Sequence, residues 1–226
     1  MTGSAFAGSS GVLDVPAPAW IVNDATLFPQ WGTFLLALIK HGSIETVRCP
    51  EGLVLGDNEF GLLIEGGLFV IDGQNRPDAR LMLIEFLKRG DLLTSSPGHS
   101  RLLQLYPHSR TTCLVVRDRT FEPFKADFPN WDQLLFQLKA GIAEAYEQAT
   151  VETRGRDQDR IRRVLTLMAD HPTSVDSKLG RQIEAGKQLI RDLAGVQKRS
   201  ATRAFRALEE DGEVSFHGYK RLFFKG

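Results

Sequence analysis

The spacing of hydrophobic residues changes along the 226-residue chain. Residues 29–41 form one apolar segment that begins at a proline and is followed by Gly42, which predicts a short helix. After it, short apolar runs alternate with turn residues and predict strands at 44–48, 53–55, 60–64, 68–71, 81–86, 101–106 and 112–117. No helix-period segment separates these runs, so the pattern favours an antiparallel sandwich or barrel over a parallel α/β sheet.

A long helix is predicted from residue 130 to residue 153. Its apolar side chains recur every three or four residues and make one stripe, which consists of Leu134, Leu135, Leu138, Ile142, Ala145, Tyr146 and Ala149. Such a stripe is typical of a coiled-coil-like seam, but a helix that packs on strands of its own chain shows it too. Residues 121–128 are interpreted as a connector, and residues 1–19 as a mobile extension rich in glycine, serine and alanine.

Two short helices and a hairpin are predicted near the C-terminus. The apolar face of the first helix consists of Leu189, Ile190 and Leu193, and Gly195 can end that helix with a positive φ. The apolar face of the second helix consists of Ala201, Phe205 and Leu208. Its opposite face carries Lys198, Arg199, Thr202, Arg203 and Arg206. The hairpin is predicted from strands at 214–216 and 221–224. Earlier in the chain, a hinge is predicted at 154–157, a further helix at 160–169 and a polar loop at 173–185.

This order of elements is that of a winged helix-turn-helix. A helix about 12 Å across fits the DNA major groove. There, arginine can bond the two acceptors of guanine, and lysine or threonine can hold phosphates. A solvated basic face on an ordinary helix would give the same spacing, so the pattern alone leaves both readings open.

Charge is distributed unevenly, although the formal net charge is zero. Residues 1–153 carry 12 basic and 18 acidic side chains (net −6), whereas residues 154–226 carry 16 and 10 (net +6). A basic third on an acidic body is expected when only that third meets phosphates. No apolar run is long enough to span a membrane and no signal peptide is visible, so a cytoplasmic protein is expected.

The run LIRDLAGVQKRSATRAFRALEEDGEVSFHG resembles the DNA-binding domain of the cyclic-AMP receptor protein / fumarate–nitrate regulator (CRP/FNR) superfamily. It has the same helix, glycine-centred turn, recognition helix ending in Leu-Glu-Glu-Asp-Gly, and hairpin with His-Gly at its tip. Arg199 stands where many members have a base-reading glutamate, which should alter the preferred DNA sequence because arginine donates where glutamate accepts. Gln197 replaces the usual serine N-cap, a loss of roughly 1 kcal/mol.

The predicted strand region is similar to the jelly-roll sensor domain of the same superfamily. LLIEGGLFVIDG resembles its strand–glycine–strand hairpin, and FLKRGDLL resembles the Gly-Asp turn before its ligand cassette. Members that bind cyclic nucleotides supply a Gly-Glu pair and an Arg-Ser/Thr pair from that cassette. Here the Gly-Glu pair is missing and Arg101 is followed by Leu102. Binding of cAMP in the usual mode is therefore not expected, and Arg101 and Arg110 are only weak candidates for an effector phosphate.

No cofactor can be named from the sequence. Two distant cysteines, Cys49 and Cys113, cannot supply an iron–sulfur cluster. His99, His108 and Cys113 are conceivable haem ligands, although a lone loop histidine is more often solvated. The two histidines do not form the strand pair of a cupin-type metal enzyme, and no nucleophile–base motif or phosphate loop is present, so an enzyme is not expected.

The resemblance implies an α+β protein with an N-terminal antiparallel jelly roll, a long dimerisation helix and a C-terminal winged helix-turn-helix. The implied parts are an extension at 1–19, a sensor domain at 20–127, the dimerisation helix at 128–153 with the stripe above as its interface, and the DNA-binding domain at 154–226. The implied function is that of a transcription regulator that binds a pseudo-palindromic site as a homodimer and meets RNA polymerase if it is an activator.

The residues expected at DNA are Lys187, Lys198, Arg199, Ser200, Thr202, Arg203, His217 and Lys220. Two alternatives stay open. The winged helix could dock a protein instead of DNA, or the jelly roll could bind a small molecule in a protein that does not read DNA.

Overall fold

The computed structural model describes residues 14–48, 51–72, 82–95, 103–107, 110–152, 154–170, 174–218 and 221–226. The chain separates into two compact units. The first consists of Met1–Leu68, Leu87–His99 and Leu105–Ala143, and the second of Phe69–Phe86, Ser100–Gln104 and Glu144–Gly226. The second unit therefore contains the whole of the predicted DNA-binding part.

The first elements in the described part of the chain are helices, as the pattern predicts for residues 29–41. Helix α1 is Ala19–Val22, a 3₁₀ turn follows at Phe28–Gln30, and helix α2 is Trp31–His41 with Gly42 as its C-cap. The described end of the predicted mobile extension is packed, which corrects that part of the prediction. Val15 is 3% exposed, and its carbonyl accepts a hydrogen bond from Trp31 Nε1 at 3.2 Å.

The strands of the first half are β1 Ser43–Val47, β2 Phe60–Glu65, β3 Gly67–Asp72, β4 Met82–Lys88, β5 Leu92–Thr94, β6 Leu103–Pro107 and β7 Thr111–Val116. One sheet has the order β1-β7-β2-β5 with antiparallel pairs, and a second has the order β4-β3-β6. The predicted strand at 53–55 is only a single bridge between Leu53 and Leu105, and β5 was not predicted.

Two glycine turns were predicted in this half, and the structure confirms only one of them. Gly66, at φ +85°, is not the tip of a hairpin as the resemblance implied, because β2 and β3 belong to different sheets. It marks the point where the chain changes sheet. Gly90, at φ +96°, forms the Gly-Asp turn as predicted, and Asp91 Oδ2 accepts a hydrogen bond from the Lys88 amide at 2.8 Å.

An aromatic cluster forms the core of the first unit. The predicted connector at 121–128 is in fact a helix, α3 at Asp118–Asp127. Phe121, Phe124 and Phe128 have the i, i+3, i+7 spacing of one helical face, but Pro123 inside the segment argued against a helix. The rings of Phe34, Phe60, Phe124, Phe128 and Trp131 contact one another in this core.

Helix α4, Trp131–Glu152, is the predicted long helix, but much of its stripe faces its own chain. Leu134 and Leu138 are buried in the aromatic core, and Leu135 and Ile142 are partly buried against it. In the second unit Ala149 is fully buried, Ala145 and Tyr146 are partly buried, and the Tyr146 hydroxyl donates to Asp72 Oδ2 at 3.1 Å. Leu134, Leu138 and Ala149 are therefore corrected from interface to core residues, because periodicity shows an apolar face but not what covers it.

The C-terminal elements are α5 Asp157–Ala169, β8 Val175–Ser177, β9 Gly180–Ile183, α6 Lys187–Leu193, α7 Lys198–Glu210, β10 Val214–His217 and β11 Arg221–Phe224. They include an antiparallel sheet of order β10-β11-β9-β8. The prediction of a polar loop at 173–185 was wrong, because β8 and β9 form a hairpin that extends the wing. No helix in the described ranges is both long and apolar enough to cross a membrane.

Candidate nucleic-acid interface

A tight turn joins helices α6 and α7, as the glycine predicted. Gly195 adopts φ +57°, and the Val196 amide donates to Arg191 O at 3.1 Å. The prediction that Gly195 ends α6 with a positive φ is therefore confirmed. Arg160 on α5 adds a clamp that the sequence did not reveal, since its Nη2 donates to Ala194 O at 2.5 Å and Gly195 O at 3.0 Å.

Helix α7 has one buried and one exposed face. The buried side chains are Ala201, Ala204, Phe205 and Leu208, and this face packs against α5. Helix α5 contributes its own buried side chains, which are Ile161, Val164, Leu165 and Met168. Phe205 also meets the wing, with its ring 5.6 Å from the Phe216 ring in an edge-to-face contact. The helix is thus held from two sides, and its remaining face is turned to solvent.

The exposed face carries the predicted basic residues. Lys198, Arg199, Thr202 and Arg203 are exposed, and Ser200 is half-buried. Within the described part of the chain, no salt bridge engages Lys198, Arg199 or Arg203. Arg206 differs, because its Nε donates to Glu210 Oε1 at 2.8 Å. The unpaired cations are therefore concentrated in the N-terminal half of the helix.

The start of α7 lacks a side-chain cap, as predicted. Gln197 occupies the N-cap position with extended backbone, and its side chain makes no capping hydrogen bond. The Ala201 amide donates to Gln197 O at 2.8 Å and begins the helical series. The amide N–H groups of the first turn therefore have no acceptor on the Gln197 side chain and point toward the exposed end of the helix.

Lys187 has partners inside the winged helix. Its ammonium lies 3.6 Å from the centre of the Phe216 ring, 5.6 Å from that of Phe205, and 3.8 Å from Glu209 Oε2. These cation–π contacts favour a role in joining α6 to the wing. Local residue spacing does not indicate these contacts, because the two rings belong to α7 and β10, which come later in the chain.

The wing is a short hairpin in which His217 and Gly218 are exposed. His217 pairs with Arg221 in the β10–β11 register, and its ring lies 5.1 Å from that of Phe223. Gly218 follows at φ +75° and makes the turn. Lys220 lies outside the described residues. The predicted turn is therefore confirmed at Gly218, with His217 as the last residue of the strand.

A bidentate ion pair ties α5 to the segment between α7 and the wing. Arg162 Nε lies 2.7 Å from Glu213 Oε2, and Arg162 Nη2 donates to Glu213 Oε1 at 2.8 Å. This hydrogen-bonded pairing lowers the pKa of Glu213 below its ordinary value, against the opposing effect of desolvation. The carboxylate is therefore charged at neutral pH and holds the guanidinium in place.

Arg163, the next residue of α5, reaches strand β4. Its Nη1 donates to Leu83 O at 2.5 Å and its Nη2 to Ile84 O at 2.7 Å, and it forms an ion pair with Glu152 at the end of α4. The side chain is 16% exposed. One guanidinium therefore links three elements of the second unit.

The residues considered for an effector are only partly described. Arg110 is exposed at the residue before β7, whereas Arg101, His99, His108 and Cys49 lie outside the described residues. Cys113 is buried, and burial raises the pKa of its thiol to about 12, so it stays protonated. No group of three or more potential metal ligands occurs among the residues that the structure describes.

Solved structures share this architecture over most of their length. The c-di-GMP-responsive global regulator CLP of Xanthomonas campestris has a TM-score of 0.67 at 15% identity, over 85% of this chain and 98% of that one. FixK2 of Bradyrhizobium japonicum has a TM-score of 0.62 at 17% identity, over 82% and 93%. A CRP/FNR-family transcriptional regulator of Thermus thermophilus has a TM-score of 0.59 at 14% identity, over 81% and 94%.

At these identities the likeness establishes the fold. It confirms the predicted fold class, an α+β chain in which a jelly roll is followed by a long helix and a winged helix-turn-helix. No protein-family model and no curated protein matches the chain.

Proposed function

We propose that this chain is a cytoplasmic transcription regulator of the CRP/FNR type that binds double-stranded DNA as a homodimer and is not an enzyme. One observation carries the proposal. Lys198, Arg199 and Arg203 project without ion-pair partners among the described residues from a helix whose opposite face is buried. In helix-turn-helix proteins, the N-terminal residues of such a helix enter the major groove.

The proposal gives the basic residues different roles. Arg199 and Arg203 meet base edges, and Lys198, Ser200 and Thr202 meet phosphates, helped by the uncapped amides at the start of α7. On the wing, His217 and Lys220 contact the DNA phosphate backbone. Lys187 contacts it too, with the part of its side chain that Phe216 leaves exposed. RNA polymerase is a partner only if the protein activates transcription.

The dimer contact is assigned to the solvent face of α4. Phe136 is 74% exposed, and Ala140 and Ala143 follow it at i+4 and i+7 with exposed side chains. This spacing repeats along one face of a helix, and two small residues let a second copy of α4 approach closely around a two-fold axis. Leu135, Ile142, Ala145 and Tyr146, which are partly buried, flank this face as the remaining candidates from the predicted stripe.

The DNA-binding part of the proposal is tested by the salt dependence of binding to an arbitrary duplex. Fluorescence anisotropy of the full-length protein should show affinity that falls steeply as salt rises, because phosphate contacts release counterions. Lys198→Ala should reduce the magnitude of the log–log slope by about 0.9 per protomer. Lys88→Ala removes the same charge from the exposed end of β4 and should leave the slope unchanged.

A folded protein that binds no duplex at low salt would refute this role. It would favour the alternative in which the winged helix docks a protein. Native mass spectrometry of the protein as isolated tests the other alternative, a jelly-roll protein that binds a small molecule and does not read DNA.

The dimer is tested by sedimentation of two matched variants. Phe136→Glu should convert the dimer to a monomer and weaken binding to a two-half-site duplex. Leu36→Glu changes another exposed apolar residue, 60% exposed on α2, and should leave the dimer intact. A Phe136→Glu protein that still sediments as a dimer would move the interface elsewhere.

A further inference from the structure

We infer that residues 154–157, which the sequence predicts as a hinge, are held rigid in this protein by the side chain of Arg163. The rigid body contains more than the winged helix-turn-helix, because the same side chain attaches it to strand β4. Arg163 is thus a positioning residue, which affects DNA binding only through the elements that it joins. This consequence for DNA rests on the proposed function, whereas the rigidity itself does not.

The joint between α4 and α5 has little support from its own backbone. Helix α4 ends at Glu152, and α5 begins at Asp157. The Gly155 amide donates to Glu152 O at 3.1 Å, and Arg154 and Gly155 are exposed. Backbone hydrogen bonds at exposed residues open easily, so a rigid joint needs a further contact across it.

Arg163 supplies a contact across the joint. Its guanidinium forms an ion pair with Glu152, the last residue of α4. Gln148 Nε2 donates to Glu152 Oε1 at 3.0 Å and helps to hold the carboxylate in place. The Arg163 side chain is 16% exposed, and a charge with so little access to water is costly without a counter-charge. The pair therefore joins the end of α4 to the second turn of α5.

The same guanidinium holds one edge of a sheet. Arg163 Nη1 donates to Leu83 O at 2.5 Å, and Nη2 donates to Ile84 O at 2.7 Å. Strand β4 is an edge strand in the described sheet of order β4-β3-β6, and edge strands leave backbone groups without a neighbouring strand. Leu83 and Ile84 are each 1% exposed, so these charge-assisted bonds are shielded from water. The contacts of Arg163 with Glu152 and β4 together are the Arg163 brace.

A second contact attaches the neighbouring strand to α4. The Tyr146 hydroxyl donates to Asp72 Oδ2 at 3.1 Å, and Asp72, at the end of β3, is 3% exposed. Ala149, which follows Tyr146 on α4, is fully buried. Strand β3 is thus attached to the helix before the joint, and β4 to the helix after it. Because β3 and β4 are neighbours in one sheet, residues 154–157 cannot bend without breaking one of these contacts.

Helix α5 connects the brace to the elements that meet DNA. Arg160 donates to the carbonyls of the α6–α7 turn, and Arg162 pairs with Glu213 before the wing. Release of Arg163 should therefore leave the winged helix intact but let it move relative to the end of α4. A dimer gains affinity when its two recognition helices are held at a fixed spacing. The brace should thus favour a duplex with two half-sites and have no effect on a single half-site.

The brace is tested by hydrogen exchange of the full-length protein without DNA. Arg163→Met should accelerate exchange roughly thirtyfold both in β4 and at the amides of Arg154 and Gly155, while exchange in α7 stays at the wild-type rate. Arg162→Met is the matched control. It removes a guanidinium from the adjacent position of α5 and should leave exchange in β4 unchanged, because Arg162 pairs with Glu213.

Two conservative variants separate the two halves of the brace. Arg163→Lys keeps the charge for Glu152 but loses the fork that reaches two carbonyls, so exchange should accelerate in β4 and not at residues 154–157. Glu152→Gln removes the counter-charge and keeps the carbonyl bonds, so exchange should accelerate at residues 154–157 and not in β4. General destabilisation cannot produce these opposite patterns. Equal acceleration in β4, residues 154–157 and α7 in every variant would overturn the inference.

The consequence for DNA is tested by fluorescence anisotropy with duplexes that contain one or two half-sites. Arg163→Met should lower the affinity for two half-sites on the order of tenfold and leave that for one half-site unchanged. Accelerated exchange without this difference would overturn the role in positioning. A wild-type protein that binds no duplex would refute the proposed function, and the exchange pattern would then still decide whether the brace holds residues 154–157 rigid.

Discussion

Replacing Glu213 by glutamine should loosen the winged helix by a predictable amount. The Arg162–Glu213 pair is bidentate, with both N···O distances below 3 Å, and the side chains are 34% and 28% exposed. An exposed pair contributes about 0.2–1 kcal/mol. Breaking a fully buried pair costs about 3–5 kcal/mol. Glutamine keeps one acceptor oxygen, so Glu213→Gln should cost about 1 kcal/mol at pH 7, at the upper end of the range for exposed pairs and well below that for buried ones.

The cost of Glu213→Gln should depend on pH in a definite direction. The pKa of Glu213 in the folded protein lies below its unfolded value of about 4.3. Its charge therefore stabilises the folded state above the unfolded pKa, and this contribution is lost as pH falls through the lower folded pKa. The difference between wild type and Glu213→Gln should be constant above about pH 5 and should shrink at more acidic pH, where a protonated glutamate resembles glutamine.

The assay must report on the second unit alone. All three tryptophans, Trp20, Trp31 and Trp131, lie in the first unit, so fluorescence serves as an internal control that should not change. Hydrogen exchange of peptides from α5 and α7 gives the free energy of opening where the pair acts. A double-mutant cycle with Arg162→Met should return a coupling energy of about 1 kcal/mol.

A matched variant makes the prediction refutable. Glu210 pairs with Arg206 at i, i+4, but both side chains are largely exposed, at 65% and 80%. Glu210→Gln should therefore cost no more than about 0.5 kcal/mol. Equal effects of the two glutamine variants, or a Glu213→Gln effect that does not change with pH, would show that the pair does not anchor α5 to the wing.

Three other substitutions test the aromatic core, the β8–β9 turn and the contact between α5 and β4. Phe60→Ala removes a fully buried ring whose centroid lies 3.8 Å from that of Trp131, and it should cost about 3–5 kcal/mol in urea unfolding followed by tryptophan fluorescence. Gly180 has φ +110°, and the Cβ of Gly180→Ala would lie 2.5 Å from a backbone oxygen. Hydrogen exchange of the β9 and β11 amides should therefore accelerate more in Gly180→Ala than in Gly212→Ala. At Gly212, φ is +73° and no atom lies within 4 Å of the added Cβ. Arg163→Met removes the donor that two β4 carbonyls share. The free energy of opening, measured by hydrogen exchange of amides in β4 and at the start of α5, should fall by about 2 kcal/mol.

The helix-turn-helix could be predicted because its signals are local. The apolar repeats of α6 and α7 fix their buried faces, and Gly195 marks the turn without reference to the rest of the chain. Hairpin β8–β9 gave no such signal, since Val-Asp-Ser and Gly-Arg-Gln-Ile are mostly polar. Its second strand is fixed by pairing with β11 some forty residues later along the chain, and tertiary pairing of this kind overrides local propensity.

The apolar stripe of α4 shows the same limit on a longer element. The period was correct, and the helix exists where it was expected. The surface expected to cover the stripe was wrong, because Leu134 and Leu138 pack against the aromatic cluster around Trp131 in the same chain. Phe136, which lies outside the predicted stripe, is 74% exposed. A helix that packs on its own body and also pairs with a copy needs two faces, and sequence spacing reveals only the more regular one.

The basic side chains of residues 154–226 differ in whether other residues of the chain engage them. Residues 154–226 carry 16 basic side chains, but Arg160, Arg162 and Arg163 on α5 are engaged by carbonyls and carboxylates of the same unit. These clamps fix the turn, the wing and strand β4, and they leave α7 with its own cations turned outward. The salt dependence of DNA binding should therefore follow the unpaired cations and not the net charge. A slope that responded to Arg162→Met as strongly as to Lys198→Ala would contradict this division.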